Sequence, residues 1–156
     1  LGALPSHVQY VPMDFDSQDL GEELTAAGYD CSSSTLFLWE GVSQYVTREA
    51  LEATLHYVGK TGRGNRLAFS YVLQSFIDDR SAYPELDLLW RACCKGEDPL
   101  WKGGLERESL EETLAGFSLR IVEEMGRREH EARYLEPKGR SLTVFEIERI
   151  VLAEVI

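Results

Sequence analysis

Hydrophobic residues recur along the chain at two periods, one of two residues and one of about 3.6, and their order predicts the elements. His7 to Phe15 (HVQYVPMDF) is rich in β-formers and predicts a strand. In Asp16 to Gly28, Leu20, Leu24 and Ala27 fall at helical spacing, and the closing glycine suits a left-handed C-terminal cap. Thr35 to Trp39 (TLFLW) is a continuous apolar run of the kind buried on both faces, which predicts a central parallel strand. Thr47 is placed to cap a helix whose inner face carries Leu51, Leu55 and Val58; Gly59 to Gly64 breaks it before the apolar run Leu67 to Val72. Downstream, Leu86, Leu89, Trp90 and Cys93 form a helical stripe within Glu85 to Cys94, and Asp98 to Gly104 is a loop. Arg107 to Ala115 predicts a short helix, Phe117 to Met125 a strand of alternating character, and Val144 to Val155 a closing strand. Strands alternating with helices in this way predict an α/β fold with a mainly parallel sheet and an antiparallel pair at the C-terminal end.

Composition narrows the function classes. At 156 residues with 44% hydrophobic content, residues 1–156 are expected to form a single domain with one core. Sixteen Lys and Arg against 27 Asp and Glu give a formal charge of −11, which argues against a nucleic-acid partner and favours small molecules or proteins. No apolar run reaches the ~20 residues needed to cross a bilayer, and Leu1 to His7 has no signal-peptide pattern, so no membrane partner is expected and the chain reads as cytoplasmic. The start at Leu1 rather than Met is what a fragment or processed product would show. Cys31, Cys93 and Cys94 are an odd set, expected as reduced structural thiols; His7, His56 and His130 are scattered, and no metal is assigned.

Ligands of open parallel sheets sit at the carboxyl ends of the strands, so the residues that follow each apolar run carry the candidate chemistry. Asp14 and Phe15 end YVPMDF: a carboxylate there can accept from an exocyclic amine and the ring can wall a purine, or Asp14 simply opens a turn. Trp39, Glu40 and Gly41 end TLFLWEGVSQYV. Glu40 can hold the ammonium of an amino-acid moiety or stand in water at a helix entry, and Tyr45 can orient a substrate or fill the core. Gly59 to Thr61 (GKT) is no phosphate loop, because Thr54 stands where the earlier glycine is required and the segment follows a helix.

Taken in order, YVPMDF, a helix ending in AAGYD, TLFLWEGVSQYVTREALEATL and RLAFSYV resemble consecutive segments of the leucine carboxyl methyltransferase family, including its bacterial O-methyltransferase branch. ESLEETLAGFSLRIVEEMG and EARYLEPKGR are similar to that family's closing helix, strand and approach to the last strand, so the resemblance runs from His7 to Ala153. It implies a partial Rossmann-like class I methyltransferase fold that uses S-adenosylmethionine and lacks the first two strands, the C-terminal half of a truncated methyltransferase domain. It also implies Asp14 and Phe15 around the adenine, and Glu40 at the methionine end of the cofactor and the methyl-transfer site. Tyr45, Arg133 and Tyr134 would shape the acceptor pocket, with Glu40 and Tyr45 as the catalytic pair. The reaction implied is methyl transfer to a carboxylate or hydroxyl oxygen of a small molecule or peptide, which needs in-line positioning and neither a metal nor a covalent intermediate.

The family's glycine-rich cofactor loop precedes the matching segments. A companion N-terminal half, or a second copy in a homodimer, is therefore the expected partner. The alternatives are a non-catalytic dimerising or protein-binding remnant, and a binder of a nucleoside or small metabolite without turnover.

Overall fold

The first helix, α1 (Leu20–Ala26), starts where the Asp19 carboxylate accepts from the backbone of Glu22 at 2.9 Å, and ends before Gly28, whose φ of +88° is the left-handed conformation expected of it. The computed structural model describes residues 5–156. Strand β1 (Leu36–Trp39) follows, then α2 (Arg48–Gly59). Thr47 caps α2 through its side chain, and its own backbone N–H and hydroxyl both donate to the Asp16 carboxylate at 2.9 Å, which holds the Asp16 carboxyl below its ordinary range. Ala50, Leu51, Thr54, Leu55 and Val58 form the buried stripe of α2, a spacing the sequence already displays.

Strand β2 (Arg66–Val72) leads into α3 (Gln74–Asp78) and, after two short 3₁₀ turns, α4 (Asp87–Cys93). Trp101, Phe76, Leu86 and Cys93 close a smaller core beneath these helices together with Val72 and Ile147. Helix α5 (Leu110–Ala115) is shorter than the predicted 107–115 and precedes strand β3 (Leu119–Met125). The chain then turns through α6 (Arg127–His130) and a π-turn at Glu131–Leu135 to reach the last strand, β4 (Glu148–Val155).

The four strands are ordered β1-β2-β4-β3. Only β1 and β2 pair in parallel, Leu38 opposite Ala68; β4 lies antiparallel between β2 and β3, Phe69 opposite Val151 and Ile121 opposite Ala153. The expected antiparallel C-terminal pair is therefore present. The sheet as a whole is mixed, because β4 makes antiparallel ladders on both sides. An α/β architecture with a four-stranded mixed sheet is the result.

Alternate strand residues, among them Leu67, Phe69 and Tyr71 of β2 and Val151, Ala153 and Val155 of β4, share one core with Leu51, Leu55 and Val58 of α2 and Leu110 and Leu114 of α5. Each large side chain so buried contributes about 1.5–3 kcal/mol relative to exposure.

Two expectations are corrected. His7 to Phe15 is not a strand: it has no ladder partner, and the Asp14 carboxylate instead accepts from the Asp16 backbone at 3.0 Å and from Ser17 Oγ at 2.8 Å, which turns the chain toward α1. The Thr35–Trp39 run is not a central strand buried on both faces either. β1 is the sheet edge, and Leu36 and Leu38 are 56% and 74% exposed, because only Phe37 and Trp39 face the helix-covered side. An apolar run reports what a strand can bury, not what the rest of the chain supplies to bury it. No helix among the described residues is long and apolar enough to cross a membrane.

Candidate functional site

Chain direction puts the carboxyl ends of the parallel pair side by side. After Trp39 the backbone turns at Gly41, whose φ of +68° favours glycine, and the Gly41 N–H donates to Ser70 Oγ on β2 at 2.7 Å. Ser43 Oγ then donates to the Ser70 carbonyl at 2.7 Å. Ser70 thus pins the turn that presents Glu40, and it is 3% exposed.

Glu40, Ser70 and Glu148 line a cavity of about 300 Å³ whose other wall comes from His130, Tyr134 and Phe145. Ile150 forms part of its floor beside Ser70, its partner in the β2–β4 ladder. Among the described residues neither Glu40 nor Glu148 has an ion-pair partner, so the cavity carries two carboxylates and no wall residue that is always cationic. Such a cavity suits a ligand that is positively charged at one end and apolar or aromatic elsewhere.

The structure brings together Glu40 and Tyr134, two of the residues singled out in the sequence. The other four lie elsewhere. Asp14 is exposed in its own turn, and Phe15 packs on Trp39 with ring centroids 6.1 Å apart, outside the cavity wall. Tyr45 is 41% exposed and meets Trp101 edge-on at 6.5 Å, beside Lys102 and Asp98. Arg133 bonds Glu123 and reaches Met125 Sδ, a bridge that holds the Arg133 guanidinium above its ordinary range and the Glu123 carboxyl below its own.

Ser70, His130, Phe145 and Glu148 are cavity residues that the sequence reading did not single out. Ser70 left one trace, as the polar interruption in LAFSYV; the others come from segments whose approach to β2 depends on the placement of β4.

Beyond the cavity, on the helix-covered side, a partly buried ion pair fixes the β2–β4–β3 junction. Arg149 Nε donates to Glu124 Oε1 at 2.5 Å, and the Tyr71 hydroxyl donates to the same oxygen at 2.7 Å. Burial alone would raise the Glu124 carboxyl, but the bonds from Arg149 and Tyr71 outweigh it and hold the group below its ordinary range. Tyr71, buried and next to that carboxylate, is pushed well above the normal phenol range.

Residues 1–59 match the family model described as Leucine carboxyl methyltransferase. The matched segment includes Asp14, Phe15, Glu40 and Tyr45, together with β1 and all of α2.

No curated protein matches the chain. Among solved structures it is similar to "Crystal structure of TnmH" (14% identity, TM-score 0.45) over 90% of this chain and 41% of that one. It is also similar to "Structure of the Pyocyanin Biosynthetic Protein PhzM" (12%, TM-score 0.44; 86% and 38% covered). A third is the N-methyltransferase NodS from Bradyrhizobium japonicum WM9, solved with S-adenosyl-l-homocysteine (11%, TM-score 0.42; 87% and 61% covered). The chain therefore spans 41%, 38% and 61% of the length of these three proteins.

Proposed function

We propose that the chain is part of an S-adenosylmethionine-dependent O-methyltransferase whose methyl donor is held at the Glu40 cavity. The single observation carrying this reading is a carboxylate, Glu40, without an ion-pair partner among the described residues and presented by a Ser70-pinned glycine turn at the carboxyl end of the parallel strand pair. The residues present fit the methionine end of the donor: Glu40 could take its ammonium, and Glu148 would add a second negative charge to the same cavity. The adenine contacts that the resemblance implies, Asp14 and Phe15, lie outside this cavity.

When bound, S-adenosylmethionine supplies an electrophilic methyl on a sulfonium. Tyr134 and Phe145 give the cavity an apolar wall that displaces water from an approaching acceptor oxygen. His130 lines the same wall and could take the proton of a hydroxyl acceptor. Tyr45 and Arg133 would then shape the approach from outside the cavity rather than its wall, and acceptors remain a carboxylate or hydroxyl of a small molecule or peptide.

Calorimetric titration with S-adenosylhomocysteine tests the reading. Binding is expected, and Glu40→Gln should weaken it about tenfold or more, as befits a lost hydrogen bond to a charged group of about 1.5–3 kcal/mol. Unchanged affinity in Glu40→Gln removes Glu40 from the site. A non-catalytic binding remnant is the second reading, favoured by the exposed Leu36 and Leu38 on the sheet edge; absence of any titration heat selects it. Parallel titration of Asp14→Ala reports whether the N-terminal turn also reaches the ligand.

A further inference from the structure

Side chains alternate along β4, so Glu148 faces the Glu40 cavity while Arg149 points to the helix-covered side. There Arg149 lines a second cavity, of about 320 Å³, together with Arg107 from the turn before α5, Arg128 and Glu129 of α6, and Glu146 from the approach to β4. The two cavities share no lining residue. Three guanidiniums drawn from three separate segments thus border one cleft, in a chain whose formal charge is −11.

Pairing within the fold answers only part of this charge. Arg149 is 4% exposed, and its hydrogen bond to Glu124 runs from Nε; Glu146 stands 3.8 Å from Nη1, beyond hydrogen-bond distance. Arg107 reaches Glu124 only at 3.4 Å, and Arg128 has no ion-pair partner among the described residues. The Glu129 carboxylate is tied to the Gly126 N–H at 2.8 Å. Gly126 shapes the cleft by lacking a side chain: its φ of −120° suits any residue, yet a Cβ there would lie 2.1 Å from Arg149 Nη1 and 2.6 Å from Cζ. The buried guanidinium occupies the space that the glycine leaves.

We propose that this cleft binds a phosphate group, free or carried on a small molecule, with Arg149 as its buried contact and Arg107 and Arg128 as its exposed ones. A guanidinium is always charged and meets an oxyanion through a planar fork of N–H donors. A carboxylate has two oxygens and satisfies one such fork. A tetrahedral phosphate presents oxygens in several directions at once, which donors arriving from three segments require.

Around the cleft the formal charges of Arg107, Arg128 and Arg149 are matched by those of Glu124, Glu129 and Glu146, so capture rests on contact geometry rather than on a long-range field. Repulsion from the acidic remainder of the chain is screened beyond about 8 Å at physiological salt. Glu146 is the opposing group at contact, and its half-exposed side chain is free to turn into water as phosphate enters. Removing its charge therefore strengthens capture, a sign that a purely structural set of ion pairs does not produce. Phosphate capture does not depend on methyl transfer, and donor titration reads that separately.

Titration of the isotopically labelled chain with inorganic phosphate at neutral pH and fixed ionic strength, followed at the backbone amide of residue 128, tests the cleft. A saturable shift is expected. Arg128→Gln and Gly126→Ala should each weaken binding about fivefold or more, the second by displacing the Arg149 guanidinium without removing its charge. Arg128 is exposed, so its variant reads the site even where Gly126→Ala disturbs the fold. Glu146→Gln should tighten binding, and Arg127→Gln, which removes an equal charge from a neighbour paired with Glu131 outside the cleft, should leave it nearly unchanged. Phenyl phosphate binding more tightly than inorganic phosphate identifies an ester as the ligand, and equal affinity the free ion; both uphold the cleft. A shift that does not saturate, equal weakening by Arg127→Gln and Arg128→Gln, weaker binding in Glu146→Gln, or a folded Gly126→Ala that binds as wild type overturns the proposal.

Discussion

Replacing Gly59 with alanine sets two physical effects of opposite sign against each other. Gly59 is the last residue of α2, where helix propensity alone favours alanine by up to about 1 kcal/mol. A Cβ built there would lie 1.8 Å from the Phe117 carbonyl oxygen and 3.0 Å from its carbonyl carbon. Ordinary contact requires more than 3 Å, and the obstacle is backbone rather than a side chain that can rotate away. Relief would move either the end of α2 or the turn into β3, where Ser118 already holds a φ of +60° and its carbonyl accepts from the Ile156 N–H at 3.1 Å.

Overpacking of a tight site costs about 1–3 kcal/mol, and a 1.8 Å approach to backbone belongs at the upper end, so with the propensity gain subtracted the net loss is about 2 kcal/mol. For a chain of this size that lowers the thermal midpoint by about 4–8 °C. The assay is thermal denaturation followed by circular dichroism, with Gly116→Ala as control: Gly116 has a φ near that of a helix, and its nearest neighbour would be the Thr113 carbonyl oxygen at 3.3 Å. A midpoint for Gly59→Ala equal to or above wild type refutes the close approach of α2 to Phe117.

The remaining predictions concern titratable groups. Glu124 is held below its ordinary value, so it contributes stability that is fully present above the unfolded value near 4.5 and is lost as the pH falls through the depressed folded value. Unfolding midpoints measured from pH 6 downward, on the order of pH 3 at the low end, should therefore fall more steeply for wild type than for Glu124→Gln; parallel curves would contradict the Arg149–Glu124–Tyr71 linkage. Among the thiols, burial and the neighbouring Cys93 push Cys94 up to about 11, burial also raises Cys93, and Cys31 is exposed. Alkylation at neutral pH, mapped by peptide mass, should modify Cys31 first and Cys94 slowly in the native chain; rapid labelling of Cys94 would place it outside the α4 packing. Glu40→Gln should weaken S-adenosylhomocysteine binding, as set out above.

Local pattern was enough for the elements whose partners are near in sequence. The α2 stripe of Leu51, Leu55 and Val58, the Thr47 cap and the Gly28 stop all follow from spacing and side-chain chemistry within a few residues, and each is found in the fold. So does the Leu67–Val72 strand, whose buried residues form an almost unbroken run. The turn at Glu40 and Gly41 was legible for the same reason, because a charge and a glycine ending an apolar run have few places to go.

Tertiary structure alone decided which surfaces these elements meet. YVPMDF has strand composition, yet a strand exists only with a ladder beside it, and here Asp14 satisfies a turn instead. TLFLW has the composition of a central strand, yet β4 inserts on the far side of β2 and leaves β1 at the edge with Leu36 and Leu38 in solvent. The cavity followed the same logic: Glu40 was visible in the sequence, while Ser70, Glu148, His130 and Phe145 join it only because antiparallel β4 lies against β2 and the α6 segment lies across its end. Amino-acid order fixes short-range periodicity and capping, whereas proximity between residues far apart in the chain is set by the packing of whole layers, which no local spacing encodes.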